Sequence, residues 1–317
     1  MPKVSVVLAV FNVERYIEKC AVSLFEQSLD DIEYIFVDDC STDKSIEILL
    51  SVLNRYPNRK HSVKIIRNEE NSKVAFTRTV GMKAATGDFV IHCDPDDFVD
   101  SNYYEVMYNL AIENKSDIVA TNYYSVKNGI RQEIRNRYYS SNPKDCIKKI
   151  YQYYFFPSLC THLIKRSLYL ENNIYPYKDI NTGEDLNVLL RVFYYANKIT
   201  FLDKAFYHYI MRNTSLTHNR DVMFLWKNNI SKNLNRIIEF FQSTGDCDYS
   251  IMLNFFKFTK KQIMLSATPP QIKLWYSVYP ECRKDILRFS NLSLLRKIMY
   301  IIFSYFYPAM WLYYKFR

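Results

Sequence analysis

Phe89-Val90-Ile91-His92-Cys93-Asp94-Pro95-Asp96-Asp97-Phe98 is the stretch that decides how this chain is read. Its apolar opening reads as a buried strand, and three carboxylates follow within four positions. Carboxylates repel one another, so crowding them at a strand end is costly unless a cation or ligand offsets the charge. Oxygen ligands on a rigid strand end suit a hard divalent ion such as Mg²⁺ or Mn²⁺, which can bridge to the phosphates of a substrate. Taken alone, the run also fits a solvated acidic turn or the acidic start of a helix.

Outward from this run, strand and helix signals alternate. Val4–Val10 is a continuous apolar strand, and Asn12 is placed to cap a helix with Ile17, Cys20, Ala21, Leu24 and Phe25 on one face. Glu33–Val37 is a second strand ending at Asp38-Asp39, and Ser41-Thr42-Asp43 opens a helix carrying Ile46, Leu49, Leu50 and Leu53 inward. Val63–Arg67 is a third strand, followed by a helix through Phe76, Val80 and Ala84; Gly87 separates that helix from the fourth strand. A helix over about 101–113 and a strand at 117–121 follow. The pattern predicts an α/β fold with a mostly parallel central sheet flanked by helices. Ligands bind such sheets at the carboxyl ends of the strands, where Asp38, Asp39, Asp94, Asp96 and Asp97 all fall.

Residues 126–220 are less regular. Cys160–Ile164 reads as a strand, Gly183-Glu184-Asp185 opens an apolar helix, and Phe201-Leu202 and Phe206-Tyr207-His208-Tyr209 follow. From about 221 the chain reads as a helical C-terminal extension.

Composition excludes several classes. Five glycines, with neither a Gly-x-Gly-x-x-Gly nor a P-loop pattern, argue against a glycine-rich nucleotide loop, and with it a nucleotidyltransferase. The seven cysteines lack Cys-x-x-Cys spacing, so reduced packing thiols are expected and a zinc site is not. Met1-Pro2-Lys3 leads straight into the first strand, so no signal peptide and a cytoplasmic location are expected. The net charge of +9 divides into −5 over residues 1–100 and +14 over the rest. An acidic N-terminal part without a nucleic-acid motif argues against a nucleic-acid-binding protein.

The pieces Val4–Asn12, Phe25-Glu26-Gln27-Ser28, Glu33–Asp43, Asn71–Arg78 with Gly81, Gly87-Asp88, Asp94–Asp97, Gly183-Glu184-Asp185, and Tyr207-His208-Tyr209 with Arg212 and Ser215 occur in one order. Together they resemble the family 2 glycosyltransferases of the GT-A fold, the bacterial inverting enzymes of surface-polysaccharide assembly. The resemblance implies a catalytic domain over residues 1–220, with a nucleotide-sugar-binding half over 1–125 and an acceptor half over 126–220. It implies that Phe11 stacks on the nucleobase, Asp39 contacts uracil, and Arg78 lies near the diphosphate of a UDP-sugar. Asp94 faces the ribose, Asp96 binds Mn²⁺ or Mg²⁺, and Asp185 is the base that deprotonates the acceptor hydroxyl. His208, Arg212 and Ser215 belong to a segment that closes over the diphosphate. Each residue also has an ordinary role open to it: a helix cap for Asp39, a core ring for Phe11, a solvated helix face for Arg78. Asp185 could be a helix N-terminal acid, with Glu184 a rival for the base, and His208 a packing histidine. Thr79 and Ser72-Lys73 depart from the family's usual Asn and Gly-Gly.

Residues 282–317 hold seven basic residues and one acid, Asp285. Within them Ile298–Tyr314 is free of formal charge but contains Pro308 and six tyrosine or tryptophan residues. Spanning a bilayer takes about 20 apolar residues. A shorter, aromatic, basic-flanked stretch suits the membrane interface, or a helical hairpin packed on protein. Interfacial attachment at the inner face of the membrane fits the acceptor implied by the resemblance, a saccharide or polyprenyl-diphosphate-linked saccharide. A nucleotide-sugar-binding scaffold without activity is the alternative, but it would not need both Asp96 and Asp185.

Overall fold

The computed structural model describes residues 1–136, 140–149, 158–211, 223–265 and 271–315. Contacts divide the chain into two units, Met1–Pro143 with Phe156–Arg220, and Lys144–Phe155 with Asp221–Arg317.

The first unit is built on β1 (Val4–Val10), β2 (Ile32–Asp38), β3 (Val63–Arg67) and β4 (Phe89–His92), all parallel, in the order β3-β2-β1-β4. Their crossovers run through α1 (Ile17–Phe25), α2 (Ser45–Asn54) and α3 (Lys73–Ala84). Helices on the faces bury β1, β2 and β4, which is why these strands read as unbroken apolar runs. Beyond β4 come β5 (Phe98–Val99), α4 (Tyr103–Glu113), β6 (Ile118–Lys127), β7 (Ile130–Ile134) and α5 (Pro143–Lys149), which falls at the unit boundary. Then follow β8 (His162–Lys165), α6 (Arg166–Glu171), α7 (Glu184–Tyr195) and β9 (Ile199–Ile210). Among the described residues the sheet continues β4-β8-β6-β9-β5, with β7 on β6; β8 is antiparallel and β6–β9 parallel. The expected mostly parallel α/β sheet is present, and the irregular middle region completes it.

Three local expectations change. Asn12 does not cap α1, which starts at Ile17; it takes a left-handed φ of 50°, and its Oδ1 accepts from the Thr42 N–H at 2.9 Å. The expected strand at 117–121 runs on to Lys127 and turns back through Asn128-Gly129, both at positive φ, into β7. The two short apolar pieces at 201–202 and 206–209 are one strand, β9, with register shifts beside Thr121 and Asn122.

The second unit is helical among its described residues: α8 (Met223–Ser243), α9 (Ser250–Leu265), α10 (Ile272–Ser277), α11 (Leu294–Tyr305) and α12 (Tyr307–Lys315), with a 3-10 segment at Pro280–Arg288. Trp275, Phe241, Tyr249, Phe289 and Met310 are buried in it. The apolar tail breaks at Phe306, next to Pro308, because proline lacks the N–H that a continuing helix needs. No helix among the described residues is long and apolar enough to cross a membrane.

Candidate active site

Parallel strands that share a register also share an edge. Val10 lies opposite Asp38, the Asp39 N–H donates to Val10 at 2.8 Å, and the Cys93 N–H donates to Val7 at 3.0 Å. The carboxyl ends of β1, β2 and β4 therefore present Phe11, Asp38-Asp39 and Asp94 along one rim. Phe11 is 45% exposed there, so its ring face is open to a partner.

The centre of the rim is Arg78. A Cβ on Gly81 would sit 2.4 Å from Val7 Cγ1, so glycine lets α3 press onto β1 one turn beyond Arg78. Buried there, Arg78 donates from Nη1 to Glu184 Oε1 at 2.9 Å and also to Asp185 Oδ1, and from Nη2 to Asp94 Oδ1 at 2.8 Å. Burial alone would lower the guanidinium's pKa, but Asp185, Asp94 and Glu184 outweigh it and hold the group firmly charged. One cation faces three carboxylates, and two of them are pushed up. Burial raises Glu184 to about 7, against the pull of Arg78, and burial raises Asp185 in the same way. Gly183 enters α7 at a φ of 72°, which places Glu184 and Asp185 on the first turn. The Leu159 N–H fixes the other oxygen of Asp185 at 3.1 Å. Beside them is a cavity of about 80 Å³ lined by Asp94, Asp185, Ser158, Thr161, Tyr123, Tyr207 and Tyr209. A larger cavity of about 450 Å³ opens at Asp88-Phe89, the opposite end of β4.

The acidic run separates into different environments. Asp97 is buried, accepting from the Tyr207 hydroxyl at 2.6 Å and the Ile210 N–H at 2.7 Å; burial and then Asp94 raise its pKa well above the usual range. It ties the turn to β9. Asp96 is half-buried on the turn that the Asp97 N–H closes by donating to Asp94 at 3.0 Å. Among the described residues no three His, Cys, Asp or Glu side chains converge as a metal cage. Asp94 and Asp97 are committed to Arg78 and Tyr207. A hard oxygen ligand such as Asp96 fits an ion that takes most of its coordination from substrate phosphates and water, as Mg²⁺ does.

Asp39 is occupied differently from the expectation of an open base contact. Its carboxylate accepts from Asn68 Nδ2 at 2.7 Å, Ser72 N–H at 2.8 Å and Lys73 N–H at 2.9 Å. It caps α3, not the helix after its own strand, and leaves about one of four acceptor directions for a ligand. His208 is engaged outside the Arg78 cluster. It is buried, stacked on Phe98 with ring centroids 4.2 Å apart and on Tyr124 at 4.9 Å, and its Nε2 pairs with Asp100 at 2.8 Å. Burial lowers its pKa despite Asp100. Arg212 and Ser215 lie outside the described residues. The sequence reading missed Tyr207, whose hydroxyl also accepts from the Asp94 N–H at 3.2 Å, and the Leu159 N–H. Tyr207 stood in the Tyr207-His208-Tyr209 piece with no role assigned to it, and a backbone donor leaves no sequence signal.

A family model described as glycosyl transferase family 2 matches residues 5–171. The chain is 30% identical over 223 residues to the uncharacterized glycosyltransferase EpsJ of Bacillus subtilis, covering 68% of this chain and 63% of that one's length. It is 29% identical over 299 residues to the cholesterol galactosyltransferase of Borreliella burgdorferi, covering 88% of this chain and 80% of the relative. The crystal structure of S. aureus TarS 1–349 in complex with UDP-GlcNAc matches with a TM-score of 0.58 at 21% identity, over 91% of this chain and 89% of that one. At that identity the likeness establishes the fold.

Proposed function

Since the chain belongs to glycosyl transferase family 2, we propose that it is an inverting enzyme moving a hexose or N-acetylhexosamine from a UDP-sugar to a saccharide acceptor. The observation that carries this reading is the Asp94–Arg78–Asp185 bridge, centred on a buried guanidinium beside a small cavity. Residues 1–125 form the donor half, and residues 126–220 supply the acceptor side.

Phe11 offers a ring face to the nucleobase, and Asp39 has its remaining acceptor position for the imide while it fixes the Ser72-Lys73 turn. Asp94 lies toward the ribose. Arg78 stands where the diphosphate arrives, and the donor competes with Asp185 for its guanidinium. Asp96 would hold Mg²⁺ or Mn²⁺. When bound, the ion offsets the charge that develops on the departing nucleoside diphosphate. Asp185, held by the Leu159 N–H and raised in pKa, takes the proton of the acceptor hydroxyl as that oxygen attacks the anomeric carbon. The bond to the diphosphate breaks on the opposite face, which inverts the centre.

The UDP-GlcNAc complex of TarS supports a uridine donor. The relative named for cholesterol supports an acceptor that sits in a membrane, a polyprenyl-diphosphate-linked saccharide here, and a place in cell-surface polysaccharide assembly. The enzyme would then act from the cytoplasmic side, attached peripherally to the inner face of the membrane.

A hydrolysis and binding screen across UDP-, GDP- and dTDP-sugars, with Mg²⁺ or Mn²⁺, tests this. Asp96→Ala should lose metal-dependent turnover. Asp185→Asn should keep donor binding, or tighten it as Arg78 is released, and lose about 10²–10⁴-fold in kcat. If no donor binds with either metal, the reading fails; if Asp185→Asn loses donor binding instead of turnover, the base assignment fails.

A further inference from the structure

The solvent side of α11 is apolar. Leu294, Leu295, Ile298, Ile302 and Tyr305 are between 46% and 80% exposed, while Phe303 and Ser304 are buried. At about 100° per residue, the five exposed side chains fall in one stripe about 100° wide. Phe306, Trp311 and Leu312 extend the exposed apolar surface into α12. Single exposed leucines are ordinary, but a contiguous stripe marks a surface with a partner.

The charge around it is one-sided. Lys284, Arg288, Arg296 and Lys315 are exposed. The two acids of residues 271–315 are engaged within the unit: Glu281 accepts from Lys257 Nζ at 2.7 Å, and Asp285 from Asn254 Nδ2 at 2.7 Å and Arg288 at 3.2 Å. Lys315 Nζ lies 4.4 Å from the Trp311 ring centre, an aromatic and cation pairing suited to the headgroup layer. At 12 and 9 residues, α11 and α12 are too short to span a bilayer.

We propose that this face docks on an anionic leaflet, with α11 lying in the headgroup plane, its stripe inserted and the exposed cations of residues 271–315 drawn to the lipid charge. The inference deepens the peripheral attachment proposed above and rests on that part of it alone. A second copy of the chain is the competing occupant. A two-fold contact would set this cationic rim against itself, which disfavours it.

Sedimentation of the full chain with phosphatidylglycerol-containing or pure phosphatidylcholine vesicles tests the proposal. Binding should require the anionic lipid and weaken with added salt. The L294E/L295E/I298E variant should bind at least about tenfold more weakly, with donor hydrolysis and the melting curve unchanged. I302E/Y305E provides the same reading if the triple variant melts early. The proposal is overturned if wild type ignores anionic vesicles, if the variants bind equally well, or if light scattering shows a dimer that the variants make monomeric. Those results with donor hydrolysis intact leave the transferase reading standing. Vesicle binding without donor hydrolysis does the reverse.

Discussion

The strand-end rim of the first unit and the outer face of α11 break the same rule in opposite directions. At the rim, the buried guanidinium of Arg78 gathers three carboxylates, two of them, Glu184 and Asp185, largely withdrawn from water and the third, Asp94, 36% exposed. On α11, large aliphatic side chains are left in it. Folding stability favours neither arrangement, since buried charge costs desolvation and exposed apolar area forgoes burial. The difference lies in how each deviation is compensated. The rim is compensated inside the fold, by mutual pairing and the Leu159 N–H, so disturbing it should unsettle the fold. The α11 face has no compensation within the described chain, so disturbing it should leave the fold alone.

The largest expected effect tests the first half of that contrast. Arg78→Met removes the cation and leaves Asp94, Glu184 and Asp185 without it, at a cost of about 3–5 kcal/mol at neutral pH. Urea unfolding measures it. Near pH 5 the loss should shrink, because carboxyl groups whose pKa is raised take up protons and no longer need the counter-charge. A stability loss below 1 kcal/mol, or one independent of pH, would mean the cluster is better hydrated than its burial implies.

A smaller effect is expected in the pH profile. Glu184 is raised to about 7 and shares Arg78 with Asp185. A raised carboxyl stays protonated further up the scale, so as pH falls through about 7 Glu184 loses its charge first and leaves Arg78 to Asp185. The acid limb of kcat should carry that titration and move to lower pH by about one unit in Glu184→Gln, which removes it. An unmoved limb would separate Glu184 from the reacting proton.

How much of this could be read from the sequence follows from how local each determinant is. Asp94 was legible because it sits just after an apolar strand, and parallel topology gathers such positions at one edge; Arg78 and Asp185 were singled out by the family resemblance, since a helix position alone left each an ordinary role. Asp39 was placed correctly at its strand end, yet its capping partners lie 33 and 34 residues on at Ser72 and Lys73, a closure no local spacing encodes. His208 was placed near the diphosphate by the family resemblance, with a packing histidine between two tyrosines as the alternative. Its actual neighbours, Phe98 and Tyr124, come from two other strands. The β6–β7 hairpin carried an Asn128-Gly129 turn signal, but its flanks are exposed Lys127, Arg131 and Gln132, so no apolar alternation marked the strands. β9 was read as two pieces because the exposed Asp203-Lys204 pair interrupts its apolar pattern beside an irregular register.

The smallest expected effect tests the other half of the contrast. Leu295 stands in the first turn of α11, two residues after the N-cap Ser293, whose Oγ accepts from the Arg296 N–H at 3.4 Å. Leu295→Glu replaces an exposed apolar side chain, so little burial is lost. The new carboxylate meets the positive end of the helix dipole, which favours it by a few tenths of a kcal/mol. Stability by urea unfolding should therefore stay within about 0.5 kcal/mol of wild type, on the stabilising side if anywhere. Placing one charge on α11 would then be nearly silent where removing one from the rim is not. A loss above about 2 kcal/mol would show that Leu295 packs against the chain itself, and the α11 face would no longer stand apart from the rim.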